Sequence, residues 1–209
     1  MIKKILIQSV LIAALSAPLV HGAETGEVWI TKVEGSVSVV TNGQSAPAKE
    51  GQAVGLNDVI KTEAGSTADI TVNSLVGCRV LASTEASLSD IKKESMQLKL
   101  VSGNVVLNID KLPEKSTFRL ETPTAIAAVR GTQFWGRVNL LNPRNPNITF
   151  AVREGFVNIL TLSTNETFTL REGQALDIPR DLIGRPSVRQ ALGQEMAALD
   201  QASTVRTCS

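Results

Sequence analysis

Three acidic side chains, Asp58, Asp69 and Glu121, lie in segments that read as strands or turns, and a pair of carboxylates is what a polysaccharide-cleaving site would need. No spacing in the sequence brings any two of them together. Arg130, Trp135 and Arg137 form a second group, with two guanidiniums able to meet an anion or a loop carbonyl and an indole able to stack on a sugar or anchor a partner. The two thiols, Cys78 and Cys208, would pair in an oxidising compartment and clamp the tail to the body, or stay free. The single histidine is His21. It falls at the end of a leader-like segment, so the mature chain has no imidazole. That excludes Ser-His-Asp and Cys-His nucleophile systems and the usual zinc and non-haem iron ligand sets, and neither a metal nor a cofactor is expected.

The leader is "MIKKILIQSVLIAALSAPLVHGA": two lysines, an apolar run from Ile5 to Val20, then small residues. This is the pattern of a secretory signal peptide over residues 1–23, cleaved at Gly22 or Ala23. The apolar run is shorter than the roughly 20 residues a bilayer span needs, and no later stretch comes closer. Loss of Lys3 and Lys4 takes the formal net charge from +1 to −1. A surface so balanced argues against nucleic acid as a partner, because phosphate binding needs a basic face.

From Glu27 to Pro179 apolar residues alternate with polar ones in short runs bounded by Gly, Asn, Asp and Pro, which predicts an all-β domain over 27–179. "MQLKLVSGNVVLNID" predicts a hairpin turning at Ser102-Gly103-Asn104. An internal repeat lies beneath the pattern: "EGSVSVV" at Glu34 leads to "KEGQAV" at Lys49, and "EGFVNIL" at Glu154 leads to "REGQAL" at Arg171. A β-sandwich and a solenoid-like roll of short hairpins would both satisfy it. Residues 180–209 change character. Ser187 reads as an N-cap, with Val188, Leu192, Met196 and Leu199 at helical spacing, so a C-terminal amphipathic helix is expected there.

Several segments in order, "VEGSVSVV", "AKEGQAVGLNDVIKTEAGSTADITV", "LVSGNVVLNI", "FRLETPTAIAAVRGTQF", "VREGFVNI" and "REGQALDI", resemble the FecR domain of exported and membrane-anchored bacterial proteins. The most specific piece runs from Thr122 and Pro123 to Arg130, Gly131 and Thr132. Asp58 matches the family's Gly-Asp turn, with Asn57 standing where the family has glycine. The resemblance implies an all-β periplasmic domain that acts by binding. Anchored members pass a signal through one membrane helix to a cytoplasmic segment that controls a sigma factor. Here a leader stands in place of that segment, so the chain looks like the stand-alone exported type.

The residues then carry paired readings. Pro123 and Gly131 predict that "TPTAIAAVRGT" crosses from one sheet layer to another. Arg130 either satisfies loop carbonyls or a carboxylate, or is presented to an anionic partner. Asp58 should accept from nearby backbone amides. Of Phe134 and Trp135, one should face the core and the other the outside, and an outward Trp135 beside Arg137 either contacts a ligand or packs beneath the C-terminal helix. The leading expectation is a non-enzymatic, exported FecR-type interaction module that meets an envelope protein or glycan. The competing expectations are a carboxylate-dependent enzyme acting on envelope polysaccharide, and a subunit that assembles edge to edge through its strands.

Overall fold

The computed structural model describes residues 26–92, 94–140, 148–179, 184–200 and 205. The leader and Cys208 lie outside them. Among the described residues the chain forms sixteen strands and one helix. They begin with β1 (Val28–Glu34), β2 (Val37–Thr41), β3 (Gln44–Pro47), β4 (Val59–Thr62), β5 (Thr67–Val72), β6 (Val76–Val80) and β7 (Thr84–Lys92). The long β8 (Ser95–Ile109) is followed by β9 (Thr117–Glu121), β10 (Ala125–Val129), β11 (Thr132–Val138) and β12 (Ile148–Glu154). The chain continues through β13 (Phe156–Thr161), β14 (Thr167–Arg171), β15 (Gln174–Ile178), β16 (Ser187–Gln190) and α1 (Gly193–Asp200).

The strands form two layers that share β8. One layer runs β1-β5-β6-β8-β11-β12-β15-β16 and the other β3-β2-β4-β7-β8-β9-β10-β13-β14, antiparallel except for the β8–β9 pair. Each inner face supplies every second residue, so Ile30, Ile70, Leu107, Phe134 and Phe150 from the first layer and Ile60, Leu98, Phe118 and Ile159 from the second close one continuous core. The large buried side chains each contribute roughly 1.5–3 kcal/mol. The expectation of an all-β fold holds: the strands form one large sixteen-stranded sheet folded into two layers, with the chain passing repeatedly from one to the other.

The predicted hairpin at Gly103 is not formed. Ser95–Ile109 is one unbroken strand, whose first half pairs with β7 and β9 and whose second half pairs with β6 and β11. Gly103 sits at the bend with φ +89°, and a Cβ there would come within 2.2 Å of Thr84 Oγ1 and 2.5 Å of Thr84 Cα. The glycine therefore lets the strand change layers without reversing. The alternation of apolar residues is the same in either case, which is why the sequence pattern did not separate bend from turn.

The internal repeat is real in three dimensions. In the first copy Gly51 N–H donates to Ile30 at 2.8 Å; in the second Gly173 N–H donates to Val152 at 2.9 Å. The Gln52 side chain accepts from the Lys49 amide at 3.0 Å, and Gln174 accepts from Arg171 at 2.8 Å. Both copies thus return an extended segment alongside the strand that opened them, with Trp29 bridged to Ala53 and Ala151 paired with Ala175.

The expected C-terminal helix is present but starts later than Ser187 and is shorter. Ser187 begins β16, which adds a strand beside β15, and the helix spans only Gly193–Asp200. No helix of the described residues is long and apolar enough to cross a membrane.

Candidate functional site

The family-like stretch 122–132 is a pair of corners. Thr122 closes the β9–β10 hairpin: its hydroxyl donates to the Ala125 carbonyl at 2.7 Å and accepts from the Ala125 amide at 3.1 Å, while Pro123 stands exposed at the tip. Layer crossing occurs at Arg130-Gly131, where Gly131 has φ +73°. Thr132 then donates to the Phe156 carbonyl at 3.0 Å, tying this corner to the neighbouring one at Gly155. Arg130 is exposed, not buried or half-buried, and donates from Nε to the Leu112 carbonyl at 3.3 Å. Asp58 accepts from the Gly55 amide at 2.8 Å.

The three acidic residues singled out for a carboxylate pair stay apart. Asp58 holds its loop, Asp69 is clamped by Arg79 through two contacts of 2.7 Å on the outer face of the first layer, and Glu121 accepts from Gln97 on the second layer. Among the described residues no His, Cys, Asp and Glu side chains group as a metal site would require.

Alternation along β11 places Phe134 in the core and Trp135 on the opposite face, as expected. Trp135 is nevertheless only 6% exposed. α1 lies over it, and Trp135, Val106, Ala151, Ala175 and Leu199 form a second small core outside the sandwich. The indole therefore offers no free platform for a sugar, and its Nε1–H, buried, has no hydrogen-bond partner among the described residues.

Beside Trp135 a cleft of about 280 Å³ opens between the sheet and the start of α1, walled by Arg137, Thr149, Asp177, Arg189 and Glu195. Asp177, Arg189 and Glu195 were not foreseen. Cross-strand register sets Arg189 one row from Asp177, and the guanidinium takes that carboxylate at 2.5 and 3.0 Å. Its other edge takes Glu195 at 2.6 and 2.8 Å. Glu195 also accepts from the Leu192 amide at 2.7 Å, the backward half of a capping box for α1. Burial pushes the Glu195 carboxyl upward, but Arg189, the Leu192 amide and the more remote Arg137 outweigh it and hold the group below its usual range. Glu195 and Asp177 raise Arg189 further above the ordinary guanidinium value. Chemically the cleft holds two carboxylates that share one guanidinium, a fastening more than a proton-transfer site.

The expected disulfide is not seen. Cys78 is a free thiol buried in the inter-sheet core, where it sits in register between Ile70 and Leu107. Val205, three residues before Cys208, lies on the other side of this layer, where its carbonyl accepts from Asn108 at 3.3 Å. Desolvation raises the Cys78 thiol well above its ordinary value.

Residues 58–158 match the family model described as FecR protein. No curated protein matches the chain. Two crystal structures of a candidate anti-sigma factor from Parabacteroides distasonis ATCC 8503 share the fold, each at 16% identity and TM-score 0.58, over 68% of this chain and 64% of that one. The match spans less than two thirds of that protein's length. At such identity the likeness concerns the fold alone.

Proposed function

We propose that this chain, which carries a FecR domain at residues 58–158, is an exported interaction module of the bacterial envelope that works by holding a protein partner and not by catalysis. The observation that carries the reading is the state of its cleft. The two carboxylates that converge there, Asp177 and Glu195, share one guanidinium, and Glu195 is held ionised, the opposite of what a glycoside-cleaving acid requires. A protein is favoured over a glycan because Trp135, the side chain best suited to a sugar ring, is covered by α1. Export rests on the leader pattern of residues 1–23.

The test is fractionation of cells expressing the full chain, combined with a photo-crosslinking side chain placed at Arg137 or, as control, at Arg171. The reading expects a processed chain in the periplasm and a discrete adduct from position 137. A chain confined to the cytoplasm, or hydrolysis of envelope polysaccharide by the purified protein, would refute it. A second reading, self-association, is favoured by the open edge of β14, and sedimentation at two concentrations separates it from a monomeric module.

A further inference from the structure

α1 shows in detail what the outer face of the first layer can hold. The helix carries two acids, Glu195 and Asp200, and no basic residue. The sheet beneath offers three guanidiniums and one carboxylate: Arg189 to Glu195, with Asp177 holding the same guanidinium from the sheet side, Arg153 to Asp200, and Arg137, which adds an electrostatic pull on Glu195. Between them Trp135 receives Leu199. An acid at the last turn opposes the helix dipole, so Asp200 is placed for the surface and not for the helix.

The fit is incomplete. Trp135 Nε1–H has no acceptor among the described residues, and a cleft of about 280 Å³ remains beside it. An orphaned buried donor is costly, and a helix of eight residues is marginal without its docking contacts. The intramolecular helix is therefore a weak occupant of a well-formed basic groove.

We propose that the groove on the outer face of β11, β12 and β16, centred on Trp135 and rimmed by Arg137, Arg153 and Arg189, is a docking site for a short acidic amphipathic helix of a partner protein, with α1 as its intramolecular plug. This deepens the interaction-module reading by naming the face and the chemistry of what it takes. A partner helix that supplies an acceptor to the indole N–H would displace α1, and the apparent affinity would be set by the fraction of chains in which α1 is undocked.

The probe is a capped synthetic peptide of residues 190–200, QALGQEMAALD, titrated into the full chain in a Trp29→Phe background, so that Trp135 is the sole fluorophore. Loosening the plug from its own side with Glu195→Gln and Asp200→Asn leaves the groove intact. The loosened chain should bind the peptide about tenfold or more tightly than the intact chain does, with a change in Trp135 emission. A peptide carrying lysine at both acidic positions should bind neither. Asp200→Asn alone, at a side chain 64% exposed, should give an intermediate gain. Equal affinity for intact and loosened chains, or equal binding of the charge-reversed peptide, would overturn the proposal. The titration needs no envelope component, so failed export and a failed groove give separate results.

Discussion

Replacing Glu195 by glutamine keeps its shape and removes its charge. The carboxylate accepts three hydrogen bonds, two from Arg189 and one from the Leu192 amide, at 2.6–2.8 Å. Every partner is a donor, so the amide nitrogen of glutamine must face one of them. At least one contact is lost and the rest lose their ionic character. Charged hydrogen bonds are each worth about 1.5–3 kcal/mol, and Arg189, at 29% exposure, recovers part of the loss from water, so the expected cost is about 2 kcal/mol. That corresponds to about a 30-fold fall in the docked-to-undocked ratio of α1. Hydrogen exchange of the Glu195 and Met196 amides, both bonded to the Leu192 carbonyl, reads that ratio directly. The pH dependence has a definite sign. Because the folded Glu195 titrates below its ordinary 4.5, its contribution is complete above that value and is lost as pH falls through the lower folded one. Protection of α1, corrected for intrinsic exchange, should therefore drop on acidification below about pH 4.5 by more in the parent chain than in Glu195→Gln, which keeps only the Asp200 and Asp177 pairs. Protection unchanged by the substitution within about threefold, or an identical acid dependence in both chains, would refute the fastening role.

Two further measurements test the fold. Gly103→Ala combines positive-φ strain with backbone overlap at Thr84 and should cost about 4 kcal/mol in urea unfolding, whereas Gly43→Ala, at φ +80° with open space around it, should cost about 1 kcal/mol; equal losses would mean that the bend of β8 is not what glycine permits. The Cys78 thiol should resist a maleimide reagent in the native chain and react on denaturation without reductant, and reaction that needs prior reduction of the unfolded chain would instead reveal the pairing with Cys208.

What the sequence made legible was periodic or local. The alternation of Met96, Leu98 and Leu100, and of Val105, Leu107 and Ile109, identified the inner faces correctly, because strand periodicity is the same wherever the strand lies. The Glu-Gly and Gln repeats marked equivalent corners for the same reason. What it did not carry depended on distant partners. Whether Gly103 turns or bends is decided by Thr84, and whether an outward Trp135 meets solvent is decided by α1. Arg189, Asp177 and Glu195 show no motif in the chain. Only the β15–β16 register and the start of α1 bring them together, so no spacing rule would have joined them. Their one local trace is a glutamate three residues after Leu192, at the third position of the helix.

The repeat also explains why, among the described residues, only one end of the first layer carries a helix. Ile30 and Val152 receive the same glycine hydrogen bond, so Trp29 in the first copy stands where Ala151 stands in the second, and Ala53 where Ala175 stands. In the second copy both positions are alanine, fully buried, and the sheet surface is low enough for α1 to settle with Leu199 against it. In the first copy the indole of Trp29 rises from the equivalent site and is 41% exposed. A helix docked as α1 is would meet that ring where it now meets a methyl group. The same β unit therefore yields one face that accepts a helix and one that rejects it, and a single pair of side-chain sizes draws the distinction. The acceptance of a helix near Trp135 is thus a property of the small residues beside it, Ala151 and Ala175, as much as of the arginines that rim the groove.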